Sequence, residues 1–310
     1  MFGFKEPKWA YLLFSIGVFT ILVRTLLDSR YANSALLYIA VPFFVSFTLF
    51  QFTKRPESER LFWRYVAHMR DATIVMLGTS ALLFEGFLCV LMFMPIYYLV
   101  VSLGFVLDVI RKTAGDRKRD KLKVSFIPLL VGVLAIEGLS PSTSFERQHQ
   151  VTRTVIVDAS IEQLKSNMAL PIDLPKKRET FLSIFPLPVD VQAGSLTPGD
   201  VHQLKFIYKK WFFTNIDEGD FHLRIDEVRD DYVSTSVVLN TSYLSKYLKV
   251  EGTEVQFEEL TGGQTAVSLT VHYERLLDPA WYFSPMQRLA IEQSSGYLID
   301  AVIAREFAIE

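Results

Sequence analysis

The sequence has almost no cysteine, and this scarcity excludes several kinds of protein. Cys89 is the single cysteine among 310 residues and lies within an apolar stretch. One cysteine cannot form an internal disulfide or supply a zinc-binding set. The five histidines are scattered and show no HExxH or similar metal-binding spacing. We therefore expect no metal and no cofactor.

Motifs of common enzyme chemistry are missing too. There is no GxSxG turn, no GxxxxGK[ST] phosphate loop and no GxGxxG dinucleotide motif. No convergent set of side chains stands out as a general acid–base pair. The sequence therefore favours a role without catalysis and assigns no catalytic residue, and an enzyme of cyclase or hydrolase type is the alternative.

Charge is divided unevenly along the chain. Residues 141–310 contain 24 acidic and 16 basic residues, a net charge of −8, whereas residues 1–140 carry a net charge of +6. Basic residues of the first half lie between apolar runs, as in the cytoplasmic loops of membrane proteins. The acidic second half disfavours nucleic acid as a partner.

Long apolar runs predict a transmembrane domain over residues 1–140. A helix needs roughly 20 apolar residues to cross the hydrocarbon core. The longest run, residues 73–110, is divided at Met94–Pro95 because proline disfavours helix in the residue before it. About five spans are predicted, at residues 9–27, 34–52, 73–93, 95–110 and 122–139.

Loop charge predicts the orientation of these spans. The first span is too long for a cleaved signal peptide and is interpreted as a retained anchor. Segments 53–71 and 111–123 are rich in Lys and Arg, which places them in the cytoplasm. Five spans put the N-terminus in the cytoplasm of a bacterium and residues 141–310 on the periplasmic face of the inner membrane. If residues 73–110 form one re-entrant unit, four spans place that domain inside.

Two glutamates, Glu85 and Glu137, lie within the predicted spans, and each precedes a glycine. An ionisable group inside lipid is costly and usually faces protein or water. One interpretation is a polar seam beside the following domain or a ligand. The other is helix packing, where glycine permits close approach and glutamate bonds a neighbouring helix. Both residues are assigned as intramembrane polar positions.

Residues 145–310 have the pattern of an α+β domain. Ser160–Gln163 has capping-box form at the start of a helix over 161–168, and Thr261–Gly263 is a hairpin signal. Residues 171–199 are broken by prolines, and residues 279–307 predict one long helix. Alternating segments predict an opening strand and about five antiparallel strands, at 150–158, 201–211, 220–228, 232–240, 253–260 and 264–274.

Several of these segments carry a family resemblance. The opening QVTRTVIVDASIEQL, the hairpin GT…TGGQT…HYER and the DPAWY start of the last helix resemble the SRPBCC superfamily, whose members are START-like, helix-grip and polyketide cyclase/dehydrase-like proteins. With Glu85-Gly86, Cys89 and Pro95, the chain is most similar to its uncharacterised bacterial members with a multi-span region. The resemblance implies a cavity for lipids, sterols or polyketides and no shared catalytic residue.

The predicted fold class is a multi-pass α-helical membrane domain plus an α+β helix-grip domain. In the second domain a curved antiparallel sheet is wrapped on a long C-terminal helix, which tends to leave a cavity between them. Trp281 and Tyr282 start that helix and either line the cavity entrance or staple the helix to the sheet. The candidate ligand-binding residues are Tyr273, on the apolar face of its strand, Phe257, Trp281, and Gln293 and Tyr297, one helical turn apart.

These features favour a membrane-anchored module that binds a hydrophobic or lipid-like ligand, with ligand transfer as an extension of that role. The expected partners are membrane lipid, a hydrophobic small molecule, and a membrane protein or second copy of the chain. The alternative is a structural or regulatory subunit of a membrane protein complex, with the helix-grip domain as a docking surface. Lipid that co-purifies would favour the first function, and a stable protein partner the second.

Overall fold

The computed structural model describes residues 33–52, 60–82, 87–113, 129–174, 181–186, 188–211, 214–305 and 307. The chain divides into two compact units, which we call the helical unit and the sheet unit. The helical unit comprises Met1–Phe145 and Leu277–Tyr282, and the sheet unit comprises Glu146–Leu276 and Phe283–Glu310. The predicted span at 9–27 and the side chain of Glu85 lie outside the described residues.

Three helices dominate the described part of the helical unit. A π-helical turn, Leu36–Ala40, leads into α1, Val41–Phe52, and α2 and α3 follow at Leu61–Leu82 and Phe87–Thr113. Residues 129–134 are also helical. The boundary expected at Met94–Pro95 is wrong, because α3 continues through Pro95. Proline has no backbone N–H, so the carbonyl oxygen four residues earlier loses its helical hydrogen bond. A helix can contain proline where neighbouring groups satisfy that oxygen.

Polar side chains join the three helices of the helical unit. The buried Ser46 hydroxyl of α1 lies 2.9 Å from His68 Nε2 of α2 and donates to the Val101 carbonyl of α3 at 3.2 Å. A Cβ at Gly104 would overlap Ser46 Oγ, so this glycine permits the close approach of α1 and α3. Small residues and interhelical hydrogen bonds are the usual contacts between helices in an apolar environment.

One helix in the described part of the chain, Leu88–Ile110, is long and apolar enough to cross a membrane. A buried core helix of a soluble protein can meet the same criterion, and less than half of the most apolar part of this segment is buried. Several large apolar side chains of the helical unit are exposed, among them Phe62, Ile74, Leu99, Leu129 and Val133. The segment Leu36–Leu49 is apolar but shorter.

The strands of the sheet unit, β1 to β8, are Gln148–Val157, Ile172–Asp173, Pro188–Gln192, Val201–Trp211, Thr214–Arg229, Tyr232–Asn240, Leu248–Glu259 and Thr265–Arg275. They form one eight-stranded antiparallel sheet in the order β1-β8-β7-β6-β5-β4-β3-β2. Helix α4, Ile161–Met168, follows β1, and the long helix α5 begins at Ala280, ends at Leu298 and continues as a π-helix over Ile299–Ala304.

The capping box at the start of α4 is confirmed. Ser160 Oγ accepts from the Gln163 backbone N–H, and Gln163 Oε1 accepts from the Ser160 backbone N–H. The estimate of about five strands after α4 is too low, because β2 and β3 lie in the proline-broken stretch. Pro188 starts β3, and the register shifts between Pro188 and Asp190. Both strands are short, β2 lies at the edge of the sheet and β3 is irregular, so they leave little alternation in the sequence.

The two faces of the sheet differ in polarity. Along β8, buried and partly exposed residues alternate. On the outer face Thr270 pairs with Thr152, and their hydroxyl oxygens lie 2.8 Å apart. The inner face packs on α5 in one apolar cluster that includes Val267, Leu269, Val271, Ile291 and Ile299. This curled antiparallel sheet on a long C-terminal helix is the helix-grip arrangement, so the α+β part of the predicted fold class is confirmed.

Candidate functional site

The candidate site lies between the inner face of the sheet and α5. Strand register places His149 of β1 directly opposite Tyr273 of β8, and their rings lie 5.6 Å apart between centroids. Tyr273 and Phe257 are 1% and 2% exposed and belong to the same apolar cluster. Two residues predicted from the sequence therefore lie in the interior of the sheet unit, at different positions along β7 and β8, because Phe257 pairs with Val267 and Tyr273 with Val250.

Helix α5 adds polar side chains to this interior. Its buried residues in the sheet unit are Phe283, Gln287, Ala290, Ile291 and Ser295. Gln287 is 2% exposed and Ser295 is 1% exposed. Polar side chains this deeply buried are normally hydrogen-bonded, because an unpaired polar group forfeits its bonds to water.

Some of these polar atoms have no partner. Among the residues that the structure describes, Gln287 Oε1, Ser295 Oγ and His149 Nε2 are buried and make no hydrogen bond. Ser284 Oγ, near the start of α5, is in the same state. A largely apolar interior thus presents several polar atoms that a bound molecule or water could satisfy.

The Gln287 amide is held from the opposite side by the segment around Tyr247. Gln287 Nε2 donates to the Tyr247 carbonyl at 3.1 Å, and the Leu276 backbone N–H donates to the same oxygen at 3.2 Å. The Tyr247 ring contacts Tyr243 edge-on, and Tyr243 stacks on Tyr208 with 4.7 Å between centroids. The segment whose carbonyl orients Gln287 is therefore packed among buried aromatic side chains.

The other predicted ligand-binding residues are less buried than Tyr273 and Phe257. Gln293 is exposed and does not face the sheet, and Tyr297 is partly buried. Trp281 is 48% exposed. Gln287 and Ser295 were not predicted from the sequence, although their spacing of four residues from apolar positions of the helix indicates them. Counting by fours along α5 and the π-helix from Phe283 gives Gln287, Ile291, Ser295, Ile299 and Ile303.

Glu137 is the predicted intramembrane residue that the structure describes. Its side chain is buried, and Oε1 accepts from the Ala280 backbone N–H at 2.8 Å within the helical unit. The Glu137 carbonyl accepts from the Ala35 backbone N–H at 3.0 Å. A carboxylate at a helix N-terminus satisfies a backbone donor and is favoured by the helix dipole. The geometry assigns Glu137 a role at the first residue of α5.

Replacing Tyr273 by phenylalanine is expected to reduce the loss of stability at alkaline pH. Burial raises the pKa of the Tyr273 phenol, and the positive charges of Arg288 and Arg275 offset only part of this. An unfolded tyrosine ionises near pH ~10, so the folded wild-type protein loses stability as the pH rises from there toward the folded pKa. Phenylalanine removes this contribution.

The measurement is the free energy of unfolding of the full chain in detergent, at several values from about pH 8 to about pH 11. The slope of the free energy of unfolding against pH should be similar for wild type and variant below about pH 9 and should differ above about pH 10. An equally steep alkaline decline in both proteins would contradict the assignment of the raised pKa to Tyr273.

No protein-family model matches the chain, and no curated protein matches it. Several solved structures match the chain. The Zhui aromatase/cyclase from Streptomyces sp. R1128 is 17% identical, with 50% of this chain and 92% of that chain covered and a TM-score of 0.33. A START superfamily protein from Mycobacterium smegmatis is 13% identical, with 50% and 97% covered and a TM-score of 0.30. Major latex-like protein 151 from Panax ginseng is 13% identical, with 49% and 98% covered and a TM-score of 0.28.

Proposed function

We propose that the chain is a membrane-anchored module that binds a hydrophobic or lipid-like ligand between the sheet and α5, and that ligand transfer can follow from this binding. The observation that carries the proposal is the pair of deeply buried atoms without partners, Gln287 Oε1 and Ser295 Oγ, within an apolar interior. Small-molecule sites combine mostly apolar walls with a few placed polar groups. This interior has both features.

The free energy of binding would come mainly from the apolar part of the ligand. Each methylene group removed from water contributes about 0.8 kcal/mol, so a chain of ten carbons supplies a large driving force. The unpartnered polar atoms would then orient a head group rather than supply most of the affinity. An amphipathic ligand satisfies both kinds of surface.

Replacing Ser295 by leucine is expected to remove a bound lipid. The larger side chain would occupy the interior beside Ser295 Oγ and compete with the ligand for that space. Lipid extracted from the purified full chain would be quantified by mass spectrometry and compared between wild type and variant. Because helices in detergent retain lipid as well, the informative quantity is the difference between the two proteins.

The matched control is Ser166→Leu, which makes the same change at an exposed position of α4. Lipid content in this variant should equal that of the wild type. If Ser295→Leu folds and keeps the full lipid content, the proposed site is wrong. A stable protein partner recovered with lipid-free wild-type chain would instead favour the docking role.

Membrane anchoring is the second part of the proposal. It is supported by the length of the apolar segment Leu88–Ile110, which has 23 residues, and by the exposed apolar side chains of the helical unit. Such exposure is unfavourable in water and is expected at a lipid-facing surface. The chain should stay in the membrane pellet after alkaline carbonate extraction, and its release into the supernatant would overturn the anchoring.

Orientation can be tested with one introduced cysteine. In a Cys89→Ser background, Glu258→Cys places a thiol at an exposed position of β7. Five spans with a cytoplasmic N-terminus predict that a membrane-impermeant maleimide labels this thiol in intact bacterial cells. Labelling that requires permeabilised cells would contradict the periplasmic placement and support four spans.

A further inference from the structure

The orientation of the Gln287 amide determines what the candidate site can bind. A glutamine side chain has one group that only donates hydrogen bonds and one oxygen that only accepts them. A carbonyl oxygen can only accept, so the Tyr247 carbonyl selects the NH₂ group of Gln287 as its neighbour. The Oε1 atom therefore points elsewhere, is buried, and lacks a donor among the described residues.

Gln287 differs in this respect from Ser295 and His149. A serine hydroxyl can donate or accept, and a neutral histidine nitrogen can do either depending on the tautomer. Ser295 and His149 can therefore adapt to many head groups. Gln287 Oε1 cannot adapt, because an amide oxygen only accepts hydrogen bonds and the bond from one Nε2–H to the Tyr247 carbonyl fixes which end of the amide faces that carbonyl.

We propose that Gln287 makes the site selective for amphiphiles whose neutral head group donates a hydrogen bond, such as long-chain alcohols, over ionised carboxylates. The inference rests on the proposed ligand-binding function and specifies its ligand class. A hydroxyl supplies the donor that Oε1 lacks. A carboxylate would instead place a second acceptor, with a negative charge, against a buried oxygen, which is unfavourable away from water.

Arg275 provides an interaction that would compete with the hydrogen bond to Gln287 Oε1. This side chain is fully buried at the end of β8, and its Nη2 donates to the Glu146 carbonyl at 3.5 Å. The positive charge of Arg275 would attract an anionic head group and so favour a carboxylate over an alcohol. The two possibilities predict opposite selectivity, so a competition between an alcohol and an acid of equal chain length separates them.

The test uses the purified full chain in amphipol, incubated with equimolar 1-dodecanol and dodecanoate at about pH 8, where the free acid is ionised. Bound molecules are extracted and quantified by mass spectrometry. The bound alcohol-to-acid ratio of the wild type should exceed that of Gln287→Met by about tenfold, the effect expected from one hydrogen bond in a buried site. Gln256→Met, an exposed glutamine on β7, should keep the wild-type ratio.

A second competition needs no variant and is informative even if Gln287→Met does not fold. 1-Dodecanol is compared with its methyl ether, which is also neutral but has no donor. Wild type should retain several times more alcohol than ether. Equal retention of the alcohol and the ether would mean that water satisfies Gln287 Oε1. Preferential retention of dodecanoate would mean that the charge of Arg275 determines the selectivity. Either result overturns the proposed selectivity and leaves the binding function standing. Failure to retain any of the three compounds overturns the binding function as well.

Discussion

Replacing Phe257 by alanine is expected to lower the free energy of unfolding by about 3–5 kcal/mol, the range seen when a fully packed phenylalanine is truncated. Phe257 is 2% exposed and belongs to the apolar cluster between the sheet and α5. Its neighbour across the strand pair is Val267, which is fully buried. Removal of the ring would leave a cavity that the surrounding strands can fill only partly.

Chemical unfolding of the full chain in detergent measures this change, with the loss of sheet signal as the readout. Phe145→Ala is the matched control, because Phe145 is 67% exposed and its truncation removes few contacts. A loss below about 1.5 kcal/mol for Phe257→Ala would show that its ring borders open space rather than packed side chains. In that case a ligand that fills the space should restore the stability.

The sheet unit was largely predictable because its signals are local. Alternation along residues 264–274 anticipated β8, whose buried and partly exposed positions alternate in the same way. The capping box at Ser160 fixed the first residue of α4. Each of these features depends on residues fewer than twelve positions apart, so a single sequence is sufficient to show them.

The polar residues of the site were harder to predict, because they depend on the rotation of one helix. Gln287 and Gln293 are both glutamines in the predicted long helix, and only the side of α5 that faces the sheet distinguishes them. Gln287 follows Phe283 by four residues and precedes Ile291 by four, and this spacing indicates its buried side. The partner that orients Gln287 could not be inferred, because the Tyr247 carbonyl lies 40 residues away in the chain.

The start of α5 shows a second limit of local patterns. Trp281 and Tyr282 were expected to line the cavity entrance or to staple the helix to the sheet. For Tyr282 the staple is wrong, because this residue packs in the helical unit on a cluster that includes Ile39, Ile96 and Val131. An apolar residue indicates burial, and its sequence context does not reveal which apolar surface buries it.

Replacing Tyr282 by alanine is expected to lower the free energy of unfolding of the helical unit by about 3 kcal/mol. The Tyr282 hydroxyl donates to the Met92 carbonyl at 2.6 Å, and the ring packs against the cluster that contains Ile96 and Val100. Truncation therefore removes both apolar contacts and a hydrogen bond. Tyr282→Phe keeps the ring and should cost about 1 kcal/mol, the contribution of one hydrogen bond.

Trp281 provides the control for this prediction, because it is adjacent in the chain and larger than Tyr282. Its side chain is 48% exposed, and its ring touches Tyr282 edge-on at 5.9 Å between centroids. Trp281→Ala should therefore cost less than Tyr282→Ala, although it removes more atoms. Thermal unfolding of the full chain in detergent would measure all three variants. If Trp281→Ala were the more damaging change, Trp281 rather than Tyr282 would anchor the start of α5, and the assignment of residues Leu277–Tyr282 to the helical unit would lose its main support.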